Sequence, residues 1–241
     1  MAERDSPSST QATPDPTGVL SRRQALTAAG ALAAGSVASV SAAAGSGSEP
    51  TGGQVGIAPS PANAVEFRAR FVQTGSSGED FAAYGYLTRA EGTSDSDLFA
   101  GAAHNVTSTL FTAYASGKLT QRVLDKSVHA LDIEGALTIY QRITAGASFD
   151  FPSSFQVGMP VARFDLTLQD ILTVFLPGRG IPTLAGGMRQ TLADRLVGPP
   201  VGRRFGRMGS RARFFATGVG NLVDPVTLNA ELEMVGNWVV E

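Results

Sequence analysis

Val128-His129-Ala130-Leu131-Asp132-Ile133-Glu134-Gly135-Ala136-Leu137-Thr138-Ile139-Tyr140-Gln141 reads as one long β-strand. Leu131, Ile133, Leu137 and Ile139 fall on one face. Asp132, Glu134, Thr138 and Tyr140 fall on the other, which is the period-two alternation of a strand with one dry side and one wet side. At about a dozen residues it is longer than the usual strand of about six.

The same period recurs in both directions from this segment. Val65, Phe67, Ala69 and Phe71 alternate with Glu66, Arg68 and Arg70, and 81–88 places Tyr84 and Tyr86 opposite Gly85 and Leu87. The stretch 106–115 is rich in threonine, phenylalanine and tyrosine, which pack well on a pleated surface. Ala162, Phe164, Leu166 and Leu168 alternate with Arg163, Asp165, Thr167 and Gln169, and the run on to Phe175 is expected to shift phase near Asp170, as a bulge shifts it. Ala212, Phe214 and Ala216, then Leu228, Ala230, Leu232 and Met234, mark the last two strands, with a reversal over 219–225. Pro177 to Pro182 reads as a rigid surface turn. A helical period survives only over 184–197, where Gly186 and Gly187 weaken it.

Seven to nine strands with short connections and no crossover helices imply antiparallel pairing. Long strands that alternate cleanly favour closure over a sandwich with edges to protect. The expected fold is therefore all-β, an antiparallel barrel of about eight strands. An outer-membrane barrel is disfavoured, because charges line one face of these strands and no aromatic girdles bracket them.

Ahead of this body, Arg22 and Arg23 precede an alanine-rich run from Ala25 to Val40, and Ala42-Ala43-Ala44 follows it. Ser21, Arg22, Arg23 and Leu26 resemble the bacterial twin-arginine export signal; Ala25 and Thr27 depart from its commonest residues, phenylalanine and lysine. The run is shorter than the roughly 20 apolar residues that span a bilayer and is interrupted by Gly30, Gly35, Ser36 and Ser39, so no stable membrane span is expected. The organisation read here is a signal peptide over 1–44 that engages the twin-arginine machinery through Arg22 and Arg23, a flexible linker over 45–63 and one domain over 64–241. Such a resemblance implies a periplasmic or secreted protein that folds before export. An exported all-β chain of glycine-punctuated strands is also similar to the small barrels of the allene oxide cyclase and dirigent group. That resemblance covers the pattern alone and carries no family residue across.

Residues 1–44 take away three basic and three acidic groups, so the body keeps the net charge of −2 of the whole chain. A near-neutral surface does not concentrate nucleic acid, which is not expected as a partner. The absence of cysteine excludes disulfides, thiol nucleophiles and thiolate metal sites. His104 and His129 are the only imidazoles, not at metal-ligand spacing, and no metal or other cofactor is expected. Neither a Gly-x-Ser-x-Gly elbow nor a phosphate-binding glycine loop is present.

Asp132 and Glu134 share a strand face, about 6 to 7 Å apart along the strand. If the wet face is the lumen, they form a carboxylate pair that can raise one another's pKa, with His129 nearby to move a proton. If it is the outside, they are solvated charge. Candidate ligand-binding residues are Tyr84, Tyr86 and Tyr140 in the lumen and Arg179 at a loop. The arginines from Arg195 to Arg213 form either an anion-facing loop or a solvated one paired with acids elsewhere. The leading functional reading is an exported barrel that binds a small apolar or amphipathic molecule. A cofactor-free isomerase or cyclase and a structural envelope domain are the alternatives.

Overall fold

The computed structural model describes residues 63–198 and 201–241; the signal segment with Arg22 and Arg23 and nearly all of the linker lie outside these described residues. Eight strands, β1 (Ala64–Thr74), β2 (Asp80–Ala90), β3 (Phe111–Asp125), β4 (Val128–Gln141), β5 (Met159–Leu176), β6 (Arg179–Ala193), β7 (Arg211–Asp224) and β8 (Asn229–Val240), follow one another around a closed barrel. Every neighbouring pair is antiparallel, and β1 closes on β8 with Phe71 opposite Leu232 and Val65 opposite Trp238.

The meander gives the barrel two unlike ends. Four short turns, between β1 and β2, β3 and β4, β5 and β6, and β7 and β8, lie at one end; this is the hairpin end. The long connections 91–110, 142–158 and 194–210 lie at the other. A short helix, α1 (Asp95–Leu98), and a 3₁₀ turn (Pro152–Gln156) belong to the first two of these connections.

The dry strand faces point inward. Phe67, Phe71, Phe81, Leu87, Phe111, Ile133, Leu137, Ile139, Phe164, Leu168, Phe214 and Trp238 belong to one buried cluster. Phe67 stacks on Phe214 with ring centroids 5.3 Å apart and lies 5.7 Å from Trp238. The centre of the barrel is nearly filled, leaving an apolar void of about 40 Å³ on the side where Ala83, Gly85, Ala113 and Gly135 are small.

Glycines let neighbouring backbones close in. Gly85 and Gly135, which share the local pattern Gly-x-Leu-Thr, occupy equivalent inward corners: a Cβ would lie 2.2 Å from Arg68 O at the first and 2.3 Å from Ser116 O at the second. The repeat is thus a barrel-curving device, consistent with glycine kinks where strands coil.

Four local expectations are corrected. Residues 106–110 are not strand, because Asn105 Oδ1 accepts from Thr107 N at 3.0 Å and Ser108 N at 3.1 Å and turns the chain. β5 keeps one register from Phe164 to Val174, so there is no bulge at Asp170. The 184–197 helix does not form; this stretch is largely β6, its glycines suiting close strand contact. Pro182 lies inside β6 rather than in a turn, at a point where β6 and β7 stop pairing, which suits a residue without an N–H.

Candidate functional site

The wet face of β4 is the outside of the barrel. Asp132 accepts from Gln169 Nε2 at 2.9 Å on the outer surface, and Glu134 is exposed beside it. His129 follows Leu131 and Ile133 in parity and turns to the inward face near the hairpin end, with Nε2 3.3 Å from Lys126 O. The two carboxylates and the imidazole are therefore on opposite faces of one strand, and the lumen placement on which their shared role depended is not found. Replacing Asp132 with Ala is expected to change stability by no more than about 0.5 kcal/mol, as outer-surface substitutions do; paired thermal melts measure it.

Tyr84 and Tyr86 are buried, but on the outside. Their faces on β2 are covered by the 91–110 and 142–158 connections, so burial is not lumen placement. Tyr84 packs against Phe155 at 5.4 Å and Phe149 at 6.1 Å, and Tyr86 meets Phe99 edge-on at 6.4 Å. Burial of Tyr84 raises its phenol pKa above the usual value, an effect the nearby Arg70 opposes. Arg142 holds the covering segment by donating to Thr144 O at 3.1 Å and to Ser154 O. Tyr140 is half-buried on the outer face of β4. Parity sets each tyrosine one residue away from an inward position, and of the four only Tyr84 borders the central void.

His104 stacks on Phe99 at 4.6 Å, beside Asp95 at 3.8 Å, and belongs to the connection end, opposite His129. Among the described residues, no three histidine, aspartate or glutamate side chains converge on a metal-sized site. Half of the arginine run is engaged within the chain: Arg203 donates to Gly92 O at 3.1 Å and to Asp97 at 3.3 Å, Arg204 to Ala193 O at 2.8 Å and Arg213 to Glu241 at 2.6 Å. Gln190, buried in the barrel wall, ties the 194–210 connection down through Phe205 O at 2.6 Å and Arg207 N at 3.1 Å.

What the structure does bring together is at the hairpin end. A cavity of about 160 Å³ opens there, walled by Leu131, Leu172, Val174, Leu228 and Leu232, with Gln73, Arg122, His129, Arg179 and Asn221 as its polar lining. Gln73 and Arg122 brace the β1–β2 turn by donating to Gly78 O at 2.6 and 2.9 Å. Arg179 and Asn221 face each other across β6 and β7 on the rim. Leu228 is held at φ +59° to present itself to this cavity, a conformation that costs a branched residue about 1 kcal/mol or more. No acidic side chain lines the cavity among the described residues. Its chemistry is an apolar hollow with donors at the rim, suited to a short apolar tail and an acceptor headgroup.

One residue is hidden by the expected phase shift in β5. Asp170 continues the inward series Phe164, Leu166 and Leu168 and is only 2% exposed. It stands between Leu168, on the central void, and Leu172, on the mouth cavity. Its Oδ1 accepts from Thr183 N at 3.0 Å, next to Pro182, where the ladder opens. Burial pushes its carboxyl up to about 6, the Thr183 hydrogen bond opposing. The sequence does carry a signal for it: unbroken parity from Ala162 predicts an inward aspartate.

No family model, curated protein or solved structure matches this chain.

Proposed function

We propose that the chain is an exported small β-barrel that binds a small amphipathic molecule at its hairpin end. The 160 Å³ hollow carries this reading, being apolar in its walls and donor-bearing at its rim. A cavity of about 150 Å³ in another protein holds a benzene-sized guest, so this one takes a short alkyl chain or a single ring rather than a large lipid. The near-filled centre moves the ligand from the lumen to the mouth. That same filling is the observation that favours the purely structural reading over a deep carrier. For an isomerase or cyclase, His129 is the imidazole lining the hollow. Export rests on the likeness of Ser21 to Leu26 to a twin-arginine signal.

Calorimetric titration with hexanoate and with hexanol tests the reading. Both are expected to bind in the millimolar range or better, since so few heavy atoms limit the attainable affinity. Leu172→Trp, which fills the hollow, is expected to weaken both at least tenfold. Arg179→Ala is expected to weaken hexanoate severalfold and leave hexanol unchanged. Failure of both compounds to bind contradicts the proposal.

A further inference from the structure

We infer that the hairpin end of the barrel docks on the surface of a lipid bilayer, an interaction beyond the ligand reading that shares the mouth and Arg179 with it. Three turns project around the mouth, and each carries bare apolar side chains: Val123 and Leu124 before the β3–β4 turn, Phe175 and Leu176 before the β5–β6 turn, and Val223 and Val226 around the β7–β8 turn. Each of the six is at least half exposed, Val226 at 87%. Single exposed apolar residues are ordinary, and the connection end bares some too, among them Ile143, Phe151 and Val201. Here they sit in pairs on three successive turns around one mouth, which marks an interaction surface.

Charge at the tips is balanced and does not oppose insertion into a membrane surface. Asp224 is occupied by Val226 N at 2.8 Å and Thr227 at 2.7 Å, Glu79 by Ser77 N at 2.7 Å and Asp80 by Lys118 at 2.9 Å. Lys126 and Arg179 have no ion-pair partner among the described residues, and neither do the tip carboxylates Glu79, Asp125 and Asp224, so the two signs are interspersed around the mouth. Two free cations beside apolar tips suit side chains that bury their stems and keep their heads at phosphate level. The chain's near-neutral charge does not drive adsorption by itself; local apolar insertion does. Separate tips around a hollow also suit a fluid surface, whose acyl chains fill the gaps, better than the face of a second copy.

Flotation of the full chain with vesicles tests this, using phosphatidylcholine alone and phosphatidylcholine with one-third phosphatidylglycerol. Binding to both is expected, of similar strength, because apolar insertion drives it. Phe175→Asp and Val226→Asp, each checked for an unchanged circular dichroism spectrum, are expected to reduce binding at least tenfold. Lys126→Glu with Arg179→Glu, which makes the face acidic, is expected to weaken binding to the phosphatidylglycerol vesicles several-fold and to leave phosphatidylcholine binding nearly unchanged. Absence of binding, or binding that both tip variants leave intact, overturns the inference. So does self-association without vesicles that the same tip variants abolish, because the face then belongs to a second copy. Loss of vesicle binding in a variant that still takes up hexanol separates this surface from the ligand site.

Discussion

Gly218→Ala is expected to destabilise the fold by more than about 4 kcal/mol. Gly218 lies in β7 against β8, and a Cβ built on it falls 1.9 Å from Glu233 O, 2.8 Å from Glu233 C and 3.0 Å from Met234 Cα. All three are backbone atoms of a paired strand, so no side chain can rotate aside. Relief requires β7 and β8 to separate where Gly218 faces Met234, and in a closed barrel that displacement spreads to both neighbours. A penalty above about 4 kcal/mol, the exceptional tail for single substitutions, is a large part of a typical stability of roughly 5–15 kcal/mol. Gly187→Ala is the matched control. Gly187 is an exposed strand glycine whose added Cβ meets nothing within 4 Å, and Ala there is expected to be neutral or to stabilise by up to about 1 kcal/mol through the unfolded chain. Urea unfolding followed by the fluorescence of Trp238, the single tryptophan, measures both. Equal stability of the two variants would show that β7 and β8 do not approach as closely as described.

Asp170→Asn is expected to stabilise the protein at pH 7 and to flatten its pH dependence. The folded-state carboxyl titrates at about 6 against an ordinary value of 3.8, chiefly because burial disfavours the charge. The sign follows from proton counts. Below about pH 4 the carboxyl is protonated in both states, and burial carries no charge penalty. As pH rises from about 4 to 6 the unfolded chain gives up its proton first, so stability falls, and above 6 a penalty of about 3 kcal/mol is fully developed. The asparagine amide would keep an oxygen for Thr183 N and carry no charge. Its gain at pH 7 is expected at about 1–3 kcal/mol, the lower bound allowing for amide hydrogens without partners. Urea midpoints at pH 4, 5, 6 and 7 read the slope directly. A less stable Asp170→Asn variant at pH 7 would mean that the ionised carboxylate has an attractive partner in the barrel. Asp170→Leu separates the second role, since it leaves Thr183 N unpaired in the wall and forfeits the gain.

The barrel is legible in the sequence because β4 states its period without interruption: Val128 to Gln141 is both the stretch read from sequence and the strand found. β3 reads short because Gly117, Lys118 and Gln121 blur the alternation, and a register shift between Leu119 and Gln121 reverses which parity faces inward. The site is less legible. Period two divides residues into two faces and assigns the dry one to the core, which correctly puts Leu137 inside. It does not reveal that a distant connection covers part of the wet face, and so Tyr84 and Tyr86 read as lumen residues although they anchor an outer layer. Arg179 and His129, which fall in different candidate groups by sequence, line one cavity because four hairpins end together. Asp170 escapes through an assumption, that a charge cannot continue an inward series, which the open ladder at Pro182 makes false.

Native mass spectrometry of the protein recovered from its own host asks whether the hollow at the hairpin end is occupied. A population carrying one small amphipathic molecule is expected, released by mild activation and missing from Leu172→Trp prepared in the same way. A bare mass for the wild type, joined to failure of hexanoate and hexanol to bind, would refute ligand binding and leave a barrel whose mouth holds nothing.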